Sequence, residues 1–472
     1  MPKSPTQRKS SIQISRPGEC QYRLSMYRDD KRMENKEGAF NLITFCRGWE
    51  IYESLDLHTM ECEFIFEDAA GLMGSLTGTE VFKLEIQSFP IDRTYYFRSY
   101  GIYDRIRAGQ SNEVYFIKCY SDEFMKNESV NVFGNSEVIF NNNAKAENII
   151  ETLVKDKNYL GSSKRLFTEE TLNEHSFIAP NWRPFDVIPW VLLRTIRKSQ
   201  KGGSLQNGFV FFENSLGFHA KSYDKMIEDI EKQRENSETS PITGQAKMYQ
   251  YVHDIKNTES PIDNQFLIDS VVFPDEATTM ANLRHGIYSG YSVGFDPVSI
   301  TSSKMGLSKD MSSTAYNYSL EDIWPRMAHL NAGKSVNPLV NMDNNVRGHM
   351  YKPKRIRYCG LPNQSFDPKF QNNPQASYEQ LAELQAYRYI RKATLNHISL
   401  KITIPGNLDL YVGSGIDIII PTIAKSGGGY GRSTKVDRKY SGRYLIKTLT
   451  HSITEDKLRT DIEMMKDSCL IY

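Results

Sequence analysis

Apolar and polar positions alternate with a period of two in two widely separated parts of the chain. Val81-Phe82-Lys83-Leu84-Glu85-Ile86 and Glu113-Val114-Tyr115-Phe116-Ile117-Lys118-Cys119-Tyr120 each put one face toward a core. That is the pattern of a half-buried strand. Phe40 to Phe45, Glu61 to Phe66 and Thr94 to Arg98 read as further short strands, and Thr77-Gly78-Thr79-Glu80 as a turn. The period lengthens near Ala144. Ala146, Ile149, Ile150, Leu153 and Val154 fall on one helical face. A second helix is predicted over Phe185 to Arg197, with Pro184 near its start; Pro189 is awkward inside it and reads as a rival start.

Gly208 to Ala220 reads as a hairpin around a tight Asn214-Ser215-Leu216-Gly217 turn. Ser222 and Asp224 can cap a helix over Tyr223 to Ile230, and the polar residues 231–246 read as a loop. Phe266 to Phe273 reads as a strand, and Arg284 to Phe295 as a strand pair broken by glycines. Residues 300–375 are rich in Ser, Asn, Pro and Gly and show no periodicity, which predicts extended binding structure or disorder. Tyr378 to Lys392 is the clearest helix, and strand patterning resumes at Leu395.

The two alternating regions share an order. Thr77 to Leu84 lies over Val412 to Ile419 with a small offset, and Tyr96-Phe97 over Tyr444-Leu445. A further alternating strand follows about eighteen residues later in each, at Val114 and Ile462. The expected fold is α+β, mainly β: two related small antiparallel β-barrel domains with an inserted α/β domain. The expected divisions are a leader at 1–37, a first barrel at 38–143, an α/β domain at 144–250, strands of the second barrel at 251–300, a long insertion and helix at 301–394, and barrel completion at 395–472.

With 472 residues, 39% of them hydrophobic, the chain can fill several cores. A net charge of +1 argues against bulk attraction to nucleic acid. The six cysteines form no C-x-x-C pair and read as free thiols of a protein made in a reducing cytosol. Residues 1–19 are polar and basic, with no secretory apolar core, and no apolar run is long enough to span a membrane. They read as a disordered leader or as an arm that orders on a neighbouring subunit.

Enzyme signatures are missing. The nine histidines lack zinc-protease spacing, no G-x-S-x-G occurs, and Asp56, His58 and Glu61 are expected to be exposed. Gly427-Gly428-Gly429-Tyr430-Gly431 lacks the Lys-Ser/Thr of a phosphate loop and sits between strands, not before a helix. No cofactor and no metal are expected. Two basic segments stand out: Lys425, Arg432, Lys435, Arg438, Lys439 and Arg443 around the glycine loop, opposed only by Asp437, and the run Lys352, Lys354, Arg355, Arg357.

Three features, in order, resemble the central baseplate hub family of contractile-tailed bacteriophages of the T4 type, and more distantly the hub part of type VI secretion spikes. They are the Gly406 to Lys466 pattern, the Phe209-Val210-Phe211-Phe212 and Gly217-Phe218 hairpin, and Ile188-Pro189-Trp190 before it. The resemblance covers most of residues 38–300 and 376–472; the leader and residues 300–375 depart from it. It implies a homotrimeric, non-enzymatic ring in the virion baseplate. Such a ring adapts a six-fold tail tube to a three-fold central spike and leaves a channel for DNA. The implied partners are tube or tube-initiator proteins, the spike, baseplate wedge proteins and the tape-measure protein, with DNA passing without specific binding. In that setting the two basic segments read as docking loops for an acidic neighbour. The rival readings are a tail-tip peptidoglycan hydrolase, tested by zymography, and a host-binding adhesin, tested by labelling whole cells.

Overall fold

In a computed structural model the chain is α+β and mainly β. Residues 5–469 are described, except 36–37, 40–41, 110, 141–143, 199–204, 234–237, 255–259, 274–278, 297–300, 303–314, 332–341, 353–354, 361–364, 367–368, 423–435 and 455–456, together with 370–372.

The N-terminal unit contains β1 (Thr6–Lys9), β2 (Cys20–Arg28), β3 (Cys46–Ser54), β4 (Glu61–Asp68), β5 (Val81–Ser88), β6 (Ile91–Arg107) and β7 (Glu113–Tyr120). All pairs are antiparallel, in the spatial order β3-β4-β7-β6-β5-β2. Alternation sets the facing: Phe64, Phe66, Phe82, Leu84, Tyr95, Phe97 and Tyr115 are all buried in one core with Trp49. Each such side chain contributes roughly 1.5–3 kcal/mol relative to exposure. Glu80 organises the turn before β5, its carboxylate accepting from the backbone of Thr77, Gly78 and Thr79.

Two expectations are corrected here. Residues 1–37 are not simply a leader: β2 pairs with β5 from Cys20 to Tyr27 and buries Leu24 and Met26. Cys20, Tyr22, Leu24 and Met26 alternate with polar residues, a period-two signal that belongs to the barrel. The expected Phe40 to Phe45 strand is a short 3-10 turn at Leu42–Thr44, with residues 40–41 outside the described set. So short an apolar run does not specify its own conformation.

The middle of the chain holds β8 (Val132–Asn135), α1 (Ala146–Lys155), β9 (Ser176–Trp182), α2 (Pro184–Leu192), β10 (Phe209–Asn214), β11 (Gly217–Ser222) and α3 (Tyr223–Lys232). The expected hairpin is β10–β11, in register from Phe209↔Ser222 to Asn214↔Gly217. Ser222 caps α3, its side chain accepting from Lys225 N. Pro184, not Pro189, opens α2; Pro189 lies inside a helix that ends at Leu192, short of the expected Arg197.

The second unit comprises β12 (Tyr249–Val252), β13 (Ser270–Val272) and, after an insertion, β16 (Ile398–Pro405), β17 (Gly415–Ile419), β18 (Gly442–Thr454) and β19 (Lys457–Lys466). Its spatial order is β13-β16-β19-β18-β17-β12. Leave out β1, which stands off the main path, number the six strands of each order along the chain, and both read 2-3-6-5-4-1. The first strand alone differs: β2 runs antiparallel to its neighbour and β12 parallel. Hydrogen bonds from Val252 N to Phe266 O (3.1 Å) and Ile268 N to Val252 O (3.0 Å) bring β12 round to the segment before β13. In the first unit the Tyr22 hydroxyl reaches Cys46 O at 3.4 Å. The far half of β18 pairs with β3, Thr448↔Ser54 to Ser452↔Glu50, so both units belong to one sheet of 14 strands among the described residues.

The insertion carries β14 (Ser289–Asp296), β15 (Ile356–Gly360) and α4 (Pro374–Leu395). The Arg284 to Phe295 pair expected for the second barrel is instead one strand in a separate sheet, parallel to β15. Residues 300–375 were expected to be extended or disordered. Their described parts build a small core instead: Tyr318, Leu320, Ile323, Trp324, Met327 and Met350 pack against Tyr387 and Ile390 of α4. Single aromatic anchors on short elements make this core, which periodicity cannot reveal.

Candidate functional site

The tip of the β10–β11 hairpin is driven between the two barrels, and the polar groups meet there. Glu53, at the end of β3, is fully buried. Its carboxylate accepts from Ser215 N (3.1 Å), Ser215 Oγ (2.6 Å) and Val412 N (3.3 Å). Arg93 of β6 donates to Ser215 O at 3.2 Å, to Gln7 Oε1 at 3.3 Å and to the Tyr411 hydroxyl. Tyr411 and Tyr249 each donate to Asp409 at 2.8 Å. One network thus joins the first barrel, the hairpin tip, the second barrel and β1.

The tip can enter because of one glycine. Gly217 has φ +140°, and a Cβ there would lie 2.4 Å from Arg165 O. Gly217→Ala must strain both the turn and that approach, and about 1–3 kcal/mol of stability should be lost in urea titration. An unchanged midpoint would show that the tip is loosely held.

Burial pushes the Glu53 carboxyl up to about 7, against the lowering effect of Ser215, Val412 and Arg93. A raised carboxyl binds its proton more tightly in the folded state. Folding therefore gains stability as pH falls from about 7 toward 4.5, by about 3 kcal/mol in all. Glu53→Gln removes this slope. The stability difference between the native chain and the variant should shift by about that amount, in favour of the native chain, between pH 8 and pH 5. Parallel urea-midpoint curves would contradict the assignment.

Two further buried ion clusters hold the parts together. Lys164 Nζ lies 2.7 Å from Glu123 and 2.5 Å from Glu213, whose other oxygen accepts from Met60 N at 3.1 Å. Arg391 of α4 lies 3.1 Å from Asp224 of α3 and 3.0 Å from Asp467, just beyond β19. His329 Nδ1 is 2.9 Å from Asp467, and Tyr387 donates to Asp224 at 2.7 Å. Burial raises the Asp467 carboxyl, but His329 and Arg391 more than offset it and hold it at about 2.

The hairpin tip and β1 also wall a surface cleft of about 760 Å³, whose lining includes Arg8, Lys9, Arg165, Lys247, Glu238 and Asp409. Among the described residues no group of three or more His, Cys, Asp or Glu could hold a metal ion. No described helix is long and apolar enough to cross a membrane. The four thiols of the first barrel, Cys20, Cys46, Cys62 and Cys119, are buried and Cys359 and Cys469 half-buried, and none forms a disulfide among the described residues.

The sequence-derived docking residues do not converge on this junction. Lys425, Arg432, Lys435 and Lys354 lie outside the described residues. Arg438 and Lys439 sit exposed on the turn before β18, with Lys439 Nζ 5.1 Å from the Tyr440 ring. Lys352 and Arg355 are exposed at the start of β15. Arg357 is committed within the fold: its guanidinium covers the Tyr389 ring and donates to His285 O at 2.9 Å. Of the Asp56, His58 and Glu61 set, only Asp56 is exposed, pairing with Lys392 at 3.4 Å. His58 is wedged against Phe185 and Phe211, and its Nδ1 lies 3.1 Å from Phe211 O.

No protein-family model matches the sequence, and no curated protein matches it. Solved structures that align with it include a tail protein from Neisseria meningitidis, at 9% identity and TM-score 0.47 over 94% of this chain and 96% of that one. A 43 kDa prophage tail protein from Shewanella oneidensis aligns at 9% identity and TM-score 0.45, over 94% and 98% of the two chains. A type VI secretion component from Escherichia coli aligns at 9% identity and TM-score 0.38, over 89% and 73%.

Proposed function

We propose that this chain is the structural hub of a contractile phage tail. Three copies form a ring that adapts a six-fold tube to a three-fold spike and leaves a channel for DNA. The observation that carries this reading is the repeated strand order. Both barrels read 2-3-6-5-4-1, and β3, at the edge of the first order, pairs with the far half of β18 inside the second. A three-fold arrangement of such a chain presents six similar units around its axis, which is what a symmetry adaptor needs. The buried ion clusters support the same reading, because a ring under axial load needs parts that do not slide.

The work assigned to the chain is mechanical, with no catalytic step. Its neighbours in this reading are tube or tube-initiator proteins, the spike, wedge proteins and the tape-measure protein. The exposed Lys352, Arg355, Arg438 and Lys439 then serve as docking charges toward an acidic neighbour, together with Lys354, Lys425, Arg432 and Lys435. Arg357 is left out of that role by its place over Tyr389. Light scattering coupled to size exclusion tests the assembly: a species of three times the 54.2 kDa chain mass is expected. A monomer at every concentration tried would contradict it.

A further inference from the structure

The cleft beside β1 carries more than the hub reading uses. Besides Arg93, which is bound into the junction network, its cations come from three separate segments of the chain. Arg8 and Lys9 lie on β1, Arg165 just before the short strand Leu166–Thr168 that pairs with β11, and Lys247 just before β12. Arg8, Lys9 and Arg165 are exposed and have no side-chain partner among the described residues. Lys247 Nζ rests 5.2 Å from the Tyr249 ring. The acids nearby are fewer, three carboxylates against five cations with Arg93 counted. Asp409 is held by Tyr249 and Tyr411, and Asp92, opposite Arg8 in the ladder, accepts from Ser11 and Ser88. Glu238 is the remaining carboxylate of the lining.

One wall of the cleft is also an open strand edge. β1 pairs with Ile91–Thr94 of β6, on the side where β7 has already ended. Ser10 N donates to Pro90 O at 3.3 Å, which continues that ladder. Antiparallel pairs alternate, so Arg8 and Thr6 share the bonded side with Ser10, and the main-chain groups of Gln7 and Lys9 turn outward. An extended chain laid along β1 would find both main-chain partners and a rim of cations.

From this we infer that the cleft is a docking site for an extended, acidic polypeptide segment of a partner protein. The segment adds as a strand along Gln7–Lys9, with its carboxylates against Arg8, Lys9, Arg165 and Lys247. A volume of about 760 Å³ suits a short stretch of chain. Single-stranded nucleic acid fits less well. Such strands bind on open aromatic faces along a basic track. The one aromatic ring of the lining, Tyr249, is buried and already stacked on Phe266, with ring centroids 6.1 Å apart.

The test uses the full chain and a dye-labelled heptapeptide alternating aspartate with valine, followed by fluorescence anisotropy. Saturable binding is expected. Arg165→Glu should weaken it about tenfold or more, as should the Arg8→Glu/Lys9→Glu pair, with melting temperature unchanged. Methylating alternate peptide nitrogens of the probe should weaken it too, through the lost strand pairing. The proposal is overturned if the peptide fails to bind, if the variants bind it equally, or if a lysine–valine peptide binds as well. It is also overturned if oligothymidylate displaces the acidic peptide and loses its own affinity in Arg165→Glu, which makes the cleft a nucleic-acid site. If the Arg165→Glu chain, which should bind little probe itself, displaces the probe from the native chain, the occupant is a second copy and the partner assignment fails. The peptide and oligothymidylate outcomes do not alter the oligomeric mass, so the ring is tested separately.

Discussion

Arg391→Met is expected to destabilise the protein by about 3–5 kcal/mol, one of the two largest effects of any single substitution proposed for it. Arg391 is fully buried and faces two carboxylates, Asp224 and Asp467, from opposite parts of the chain. It also donates to Ala328 O at 2.7 Å. Methionine fills much of the volume but leaves both carboxylates without their cation. Asp467 would keep His329 and Asp224 would keep the Tyr387 hydroxyl, which sets the lower end of the range. Because Asp467 is held at about 2 in the native chain, its contribution is present above about pH 4 and is lost as pH falls toward 2. The penalty measured by urea unfolding should therefore be full at pH 7 and smaller near pH 3. A variant within about 1 kcal/mol of the native chain at pH 7 would mean that the cluster does not hold α4 against the second barrel.

Lys164→Met is the second. Lys164 sits between Glu123 and Glu213, and all three are buried. Burial raises the Glu123 carboxyl, but Lys164 more than offsets this and leaves it lowered; the Glu213 carboxyl stays raised by burial despite Lys164. Without the lysine two uncompensated carboxylates share one site, and a loss of about 3–5 kcal/mol is expected at pH 8. Protonation then relieves the variant. Between pH 8 and pH 5 its deficit relative to the native chain should shrink, because without Lys164 burial raises both carboxyls and they take up protons in the folded state. A deficit independent of pH would show that lost packing, not charge, is responsible.

These clusters had no sequence signal, for a physical reason. Glu53 and Ser215 are 162 residues apart, and Arg93 and Tyr411 are 318 apart. Nothing local distinguishes a glutamate that will be buried from one on a solvated strand. Lys164 and Arg391 likewise stand in polar or mixed segments and become buried only when distant elements close over them. What was legible was periodic or turn-based: the alternation of β5, β7 and β19, the one-sided face of α1, and the Asn214–Gly217 turn. The repeat was legible in three strands, and the fold extends it to six by adding β2 with β12, β3 with β13, and β4 with β16. Those pairs escape a sequence overlay because an insertion parts β13 from β16 and because β12 runs the other way. Among the docking residues, composition marked where positive charge is dense. It could not mark that Arg357 would be spent on Tyr389, or that β1 would bring Arg8 and Lys9 to Arg165.

Averaged electron-microscope images of the assembled protein, viewed down its symmetry axis, test the central claim most directly. A ring of three chains is expected, showing six similar lobes around an open channel wide enough for duplex DNA. A two-fold particle, an open filament, or a three-fold particle with a closed centre would contradict the account.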